Sequence, residues 1–293
     1  MVAVLGLTWG GSFMLVAIAL RGVGPFRLAE GRLLVAAAAL GLIWRLRGGR
    51  LFAQAPGARG WAMLALIGVT NSALPFMALS WGQQNVPSAL AGVSMASVPL
   101  IVLPLAHLFV PGERLSLRRM VGFGIGFAGV AVLLGDRAFA ATGADWETLG
   151  RLACLGAAFC YALTSILIRR LPEVDRLGLT AGLMMIGAAV VLPVALLVEG
   201  APPRPDWPTA SAIMVLGLVS TALMALLQVS EARRAGPVFL SLTNYQVPVW
   251  SVILGALVLG EALPPSLFLA LALVLGGVGL SQYGAFKRLF AGA

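Results

Sequence analysis

Long apolar runs follow one another along nearly the whole chain, separated by short segments with polar residues, glycine or proline. About 20 apolar residues in a helix cross the ~30 Å hydrocarbon core of a membrane. The pattern therefore predicts ten membrane helices, near residues 2–20, 26–44, 60–81, 87–109, 118–135, 149–170, 177–198, 209–230, 237–259 and 264–286. Because these runs leave no room for a sizeable soluble domain, the predicted fold class is an all-α integral membrane protein.

The chain also repeats itself. Residues 67–74 (IGVTNSAL) match residues 216–223 (LGLVSTAL), and the same offset places Pro99 on Pro248. Each proline lacks a backbone N–H, so we expect both to break their helices. Each copy holds five predicted helices, an odd number, so the second copy is inverted and a pseudo-two-fold axis lies in the membrane plane. The predicted divisions are a first repeat over 1–135, an outer linker over 136–148, a second repeat over 149–286 and a cytoplasmic tail over 287–293.

Composition and charge support a membrane protein with a defined orientation. Hydrophobic residues make up 60% of the chain and charged residues 11%, which excludes a soluble globular domain. A net charge of +9 would suggest nucleic acid in a soluble protein, but here the basic residues lie between the apolar runs. They are expected to contact phospholipids and to set topology. An inside N-terminus leaves only five basic residues outside, so both termini are predicted to be cytoplasmic; the five are Arg21, Arg27, Arg137, Arg151 and Arg204.

Polar residues interrupt the ninth apolar run. Ser241, Asn244 and Tyr245 share one helical face with Pro248. They would lie about halfway across the membrane, where polar side chains need neighbouring helices or water. This face either lines a solute cavity or forms a helix–helix seam held by hydrogen bonds.

Aromatic, hydroxyl and amide side chains on other helices extend this candidate site. Hydroxyls, amides and freed carbonyls could hold the ammonium and carboxylate of an amino acid, and aromatic rings its side chain. At any one position the alternative is ordinary packing through small polar residues. The candidate substrate-binding residues are Trp9, Ser12, Phe13, Asn71, Phe76, Trp81, Ser94, Tyr161, Thr164, Gln228, Ser241, Asn244 and Tyr245.

Charged residues are rare within the predicted helices. Glu30 and Arg32 lie well inside the second run, but residues two apart on a helix do not face one another. Each therefore needs another partner, and the two are candidates for a gate or structural charge pair or for a solute contact. No acid lies near the middle of any predicted helix, whereas proton-coupled antiport usually uses such a carboxylate. This favours facilitated transport.

Several short motifs occur in an order typical of one transporter family. They are Trp9–Gly10 in helix 1, Arg32 in helix 2 and the Gly–Glu pairs at 112–113 and 260–261 after helices 4 and 9. With the duplication, they make the chain resemble the ten-helix EamA-type branch of the drug/metabolite transporter superfamily, and within it the bacterial aromatic amino acid exporters. The resemblance implies two inverted five-helix repeats around a central cavity, with helices 5 and 10 outside the substrate path, in the bacterial inner membrane.

The predicted function is a secondary transporter that exports amino acids, aromatic or apolar ones or a broad range, by alternating access. A drug, nucleoside or other metabolite exporter of the same superfamily is the alternative. An intramembrane enzyme would need a nucleophile with a base, paired carboxylates or metal ligands, and this sequence has one histidine and no such constellation. We expect no cofactor or metal, no nucleic acid partner and a monomer in contact with membrane lipids.

Overall fold

The computed structural model describes residues 2–52, 56–110, 116–134, 146–227 and 243–290. Within them it describes every side chain except those of residues 2, 134, 243–245, 282 and 284–290. The helices are α1 (Val2–Ala19), α2 (Pro25–Leu46), α3 (Ala58–Gly68), α4 (Leu74–Gly82), α5 (Ser88–Met95), α6 (Val98–Phe109), α7 (Leu117–Leu134), α8 (Trp146–Ile168), α9 (Arg176–Glu199), α10 (Trp207–Val215), α11 (Thr243–Leu259) and α12 (Pro265–Phe290). The described part of the chain contains no named β-strand, only an isolated bridge between Phe52 and Val174.

Many of these helices have the length and composition of membrane spans. Among the described residues, five helical spans are long and apolar enough to cross a membrane: Ala58–Gly82, Ser88–Phe109, Trp146–Ile168, Arg176–Glu199 and Trp207–Leu227. Three shorter apolar helices cover Ala3–Ala19, Gln246–Leu259 and Pro265–Ser281. The described part of the chain is therefore helical throughout its named elements, as is expected of a membrane transporter.

Two of the long helices contain a segment of π-helix. The first π segment, Val69–Ala73, joins α3 to α4, and the second π segment, Leu216–Leu223, follows α10. At the end of the first, the N–H of Leu74 bonds to the carbonyl of Val69 five residues earlier, and Pro75 next to it has no N–H to donate. Both segments fall on the repeated sequence described above, and π-helical turns are frequent at functional sites.

Helices from the two halves of the chain pack closely against one another. α1 lies against α11 and α7 against α12, while α2 lies against α9. A methyl group on Gly10 would lie 2.5 Å from the Cβ of Trp250, and one on Gly277 would lie 2.4 Å from the carbonyl oxygen of Gly122. Backbones this close require glycine, as is usual where membrane helices pack.

Two carboxylates at helix ends satisfy the first backbone donors of distant helices. Glu199 accepts hydrogen bonds from the N–H groups of Phe26 (2.8 Å) and Arg27 (2.9 Å) at the start of α2. Glu261 accepts from the N–H groups of Ser88 (2.7 Å) and Ala89 (3.0 Å) at the start of α5. The first N–H groups of a helix have no partner within it, and the helix dipole favours an anion there. These bonds tie residues 173 positions apart.

A second set of contacts joins α2 to α9 at the opposite end of the pair. The N–H of Asp175 donates to the carbonyl of Leu51 (2.8 Å). The side chain of Asp175 then caps α9 by accepting from the N–H of Gly178 (2.7 Å). Together with Glu199, these bonds fasten α2 and α9 to one another at both ends.

Candidate functional site

A cavity of about 350 Å³ lies between the two halves of the described chain. It opens among α1, α2, α4, α5, α6, α8, α11 and the first and second π segments. Its lining is mostly apolar, with a few polar side chains from several helices. The lining residues are Trp9, Ser12, Phe13, Val16, Arg32, Asn71, Phe76, Leu79, Ser80, Gln83, Met95, Val98, Tyr161, Ser220, Thr221, Ala225 and Val247.

Six of the residues singled out as candidate solute contacts meet at this cavity, together with Arg32. They come from α1, α8 and the span Ala58–Gly82, so helix packing rather than sequence proximity brings them together. The six are Trp9, Ser12, Phe13, Asn71, Phe76 and Tyr161.

Three other candidates do not line the cavity and have structural partners instead. Trp81 packs edge-on against Trp146, with 6.1 Å between the ring centroids. The hydroxyl of Ser94 donates to the carbonyl of Leu90 within its own helix (3.0 Å). The hydroxyl of Thr164 lies 2.9 Å from that of Thr70, where both are buried. For these residues the structure fits the packing alternative.

Four candidates, one at the end of the eighth predicted helix and three in the ninth, lie beyond the residues or side chains that the structure describes. Gln228 and Ser241 are outside the described residues, and Asn244 and Tyr245 belong to α11 but their side chains are outside the description. Their solute-binding role stays a prediction.

The two repeat-related prolines differ. The helix interruption in the first half lies at residues 96–97, and Pro99 follows it within the first turn of α6. Pro248 lies inside α11, which continues from Thr243 to Leu259, so the helix break expected there is wrong. A proline removes one helical hydrogen bond, here to the carbonyl of residue 244 near the start of α11, and the remaining bonds keep the helix continuous.

Glu30 and Arg32 have separate partners, as their spacing indicated. Glu30 forms a buried ion pair with Arg27, with 2.6 Å between Oε2 and Nη1, and does not line the cavity. Arg32 donates from Nε to the hydroxyl of Thr221 (2.8 Å). Its guanidinium carbon lies 4.0 Å from the centre of the Phe76 ring, a cation–π contact. Glu30 and Arg32 therefore belong to different contacts, and a role of either residue in gating or solute binding stays a prediction.

The second π segment supplies backbone and side-chain groups to the site. The indole N–H of Trp9 donates to the carbonyl of Ser220 (3.1 Å), a contact between the two halves of the chain. The hydroxyl of Thr221 donates to the carbonyl of Leu216, five residues earlier (2.8 Å). The hydroxyl of Thr221 thus donates to a backbone carbonyl of the π-helical turn and accepts a hydrogen bond from Nε of Arg32.

Two buried polar groups at the cavity have no hydrogen-bond partner among the described residues. They are the side-chain amide of Gln83, at both its nitrogen and its oxygen, and the hydroxyl of Ser220. Unpaired polar groups in a buried site are costly, so they are expected to bind solute or water. Sequence reasoning did not select Gln83, because it stands in the polar run Gln83–Asn85 at the end of α4 and looks like a loop residue.

Comparison with known proteins identifies the family. The model of the EamA-like transporter family matches residues 1–135 and 148–282. The chain is 28% identical over 284 residues to the "Uncharacterized inner membrane transporter YedA" of Escherichia coli, covering 96% of this chain and 89% of that protein. It is 31% identical over 199 residues to the "Aromatic amino acid exporter YddG" of Ancylobacter novellus, covering 67% of each. One solved crystal structure has the same fold, with a TM-score of 0.66 at 22% identity over 96% of both chains.

Proposed function

The chain belongs to the EamA-like transporter family, and from this premise we propose that it is a secondary transporter that exports amino acids, aromatic or apolar ones foremost. Transport is proposed to proceed by alternating access across the bacterial inner membrane, with both termini in the cytoplasm and the protein a monomer. A relative of this chain is named as an aromatic amino acid exporter, and others as inner membrane transporters.

The observation that carries the substrate proposal is the chemistry of the cavity. Trp9, Phe13, Phe76 and Tyr161 give it four aromatic side chains, while hydroxyl, amide and guanidinium groups line the rest. Its volume of about 350 Å³ falls in the range of small-molecule sites. Such a lining matches a small solute with an apolar body and a polar end.

The proposal includes ten membrane helices in two inverted repeats, and two reciprocal contacts support it. A methyl group on Gly68, beside the first π segment, would lie 2.5 Å from the Cγ2 of Ile186 in α9. One on Gly217, in the second π segment, would lie 2.5 Å from the Cγ1 of Val35 in α2. Each half thus places the same glycine of the repeated sequence against a β-branched residue of the other half, as an inverted pseudo-two-fold axis requires.

We expect the purified protein in liposomes to transport labelled aromatic and apolar amino acids at a rate that an imposed pH gradient does not change. The physical reason is that no acid lines the described cavity, and Glu30 is held by Arg27 outside it. Uptake is measured with and without the gradient, and empty liposomes give the background. Proton movement in step with solute would contradict the facilitated mechanism, and flux only of drugs or nucleosides would contradict the amino acid assignment.

Trp9→Ala is expected to lower the uptake rate strongly, and Trp9→Phe less. Alanine removes both the ring at the cavity and the hydrogen bond to Ser220, whereas phenylalanine loses only the bond. A neutral hydrogen bond contributes about 1 kcal/mol, which is roughly fivefold in rate or affinity. Trp81→Ala is the matched control, since this tryptophan lies outside the cavity lining. Equal uptake by Trp9→Ala and Trp81→Ala would move the solute site away from helix α1.

A further inference from the structure

We propose that Arg32 clamps the carboxylate of the transported solute, and that this carboxylate, not the amino group, is the feature the cavity selects. The inference rests on the proposed function only in taking the cavity as the solute site. It extends the solute class from amino acids to apolar and aromatic carboxylic acids in general.

The guanidinium of Arg32 is held on one edge and one face by neighbouring residues. Its Nε is bonded to the hydroxyl of Thr221, and one face of the guanidinium lies over Phe76. The hydroxyl of Thr221 is itself fixed by its bond to the carbonyl of Leu216. One edge and one face of the guanidinium are thus occupied, while Nη1 and Nη2 have no hydrogen bond to the described residues. This remaining edge is the one that binds a carboxylate with two parallel hydrogen bonds.

The positive charge of Arg32 has no counter-charge among the described residues of the cavity lining. Arg32 is the one charged side chain among the described residues of the cavity lining. The acid nearest to it along the chain, Glu30, is already paired with Arg27. A guanidinium inside a membrane protein is costly without an anion, so a bound carboxylate would supply the missing counter-charge.

The amino group of a bound amino acid would meet no charged partner in the described lining. The polar groups left for it in the described lining are all neutral. They are the amides of Gln83 and Asn71 and the hydroxyls of Ser80, Tyr161 and Ser220. A neutral oxygen holds an ammonium less strongly than a carboxylate would, because only the carboxylate adds the Coulomb attraction of an opposite charge. The ammonium therefore contributes less to selection than the carboxylate, and a solute without it should still bind.

Three compounds with the same phenyl ring separate the two groups: phenylalanine, 3-phenylpropionate, which lacks the amine, and phenethylamine, which lacks the carboxylate. We expect 3-phenylpropionate to inhibit uptake of labelled phenylalanine within about tenfold of the concentration of phenylalanine itself, as the loss of one weak contact implies. Phenethylamine should not inhibit even at about 100 times the concentration at which phenylalanine inhibits, since it cannot form the ion pair with Arg32. Inhibition by phenethylamine equal to or stronger than that by 3-phenylpropionate would overturn the proposal.

A direct binding measurement tests the role of Arg32 independently of whether the protein transports amino acids. If phenylalanine is not transported, the amino acid assignment fails, and the three compounds are compared by the shift of the melting temperature of the purified protein. The proposal then requires stabilisation by 3-phenylpropionate and none by phenethylamine. Absence of any effect of 3-phenylpropionate in both assays overturns it.

Variants assign the preference to Arg32. Arg32→Gln and Thr221→Val are each expected to reduce the discrimination between 3-phenylpropionate and phenethylamine by about tenfold or more, since a charged hydrogen bond is lost or misplaced. A purely structural role would change total uptake but leave this ratio unaltered. The control is Arg176→Gln, an exposed arginine at the start of α9. If Arg32→Gln does not fold, Thr221→Val decides, and an unchanged ratio in a folded variant overturns the proposal.

Discussion

Gly10→Ala is expected to abolish transport and to lower the melting temperature of the protein in detergent. The added methyl group would lie 2.5 Å from the Cβ of Trp250 and 2.8 Å from the carbonyl oxygen of Val247. Both atoms are fixed by the backbone of α11, so α1 and α11 must move apart. Overpacking typically costs about 1–3 kcal/mol, and more where the backbone must shift. The separation would also displace Trp9 from its bond to Ser220.

The matched control is Gly11→Ala in the same helix. There the nearest atom is the Cδ1 of Leu254, at 3.2 Å, which lies at the end of a side chain that can rotate away. The two variants gain the same helix propensity, so a difference between them reports only the contact with α11. Fluorescence-detected melting and liposome uptake measure the two effects. A Gly10→Ala protein as stable and active as Gly11→Ala would show that α1 and α11 do not pack this closely.

Arg27→Met is expected to destabilise the protein by about 3–5 kcal/mol, because it leaves the carboxylate of Glu30 buried without its partner. The side chains of Arg27 and Glu30 are only 5% and 9% exposed, so water does not compensate. The expected result is a large loss of folded protein after detergent extraction, measured by size-exclusion chromatography and thermal melting.

The double variant Arg27→Met/Glu30→Met is the control that makes this prediction specific. Replacing a buried ion pair by apolar residues of similar size is often neutral. We therefore expect the double variant to be more stable than Arg27→Met alone, with a positive coupling in the double-mutant cycle. If the losses of stability in Arg27→Met and Glu30→Met simply add up in the double variant, the pair is solvated or not formed in the membrane.

The helical fold could be predicted from hydrophobic runs, because membrane helices must bury long apolar stretches. The repeated sequence IGVTNSAL/LGLVSTAL was visible too, but the π-helical form of both copies was not. A shift of hydrogen bonds from four to five residues leaves the apolar pattern unchanged. The continuity of α11 through Pro248 was likewise missed, since a proline lacks one donor wherever it lies and only the surrounding bonds decide whether a helix breaks.

The residue types that line the site could be predicted from the sequence, but which of the candidate residues face the cavity could be predicted only in part. Trp9, Asn71 and Tyr161 could be selected as polar or aromatic groups in apolar runs, and they line the cavity. Trp81 and Thr164 met the same criterion, but the rotation of a helix about its axis is set by its neighbours and turns them towards packing partners. The partners of Glu30 and Arg32 could not be read from spacing, since Thr221 is 189 residues from Arg32.

The carboxylates of Glu199 and Glu261 have a consequence for biosynthesis. Each satisfies the start of a helix made 173 residues earlier. At about 5–20 residues per second, the ribosome would need roughly 10–35 s to supply the missing partner. Through that interval the first backbone N–H groups of α2 and α5 lack these carboxylate partners. A nascent chain stalled before Glu199 would therefore leave the starts of both α2 and α5 without these partners, and one stalled between Glu199 and Glu261 would leave only α5 so.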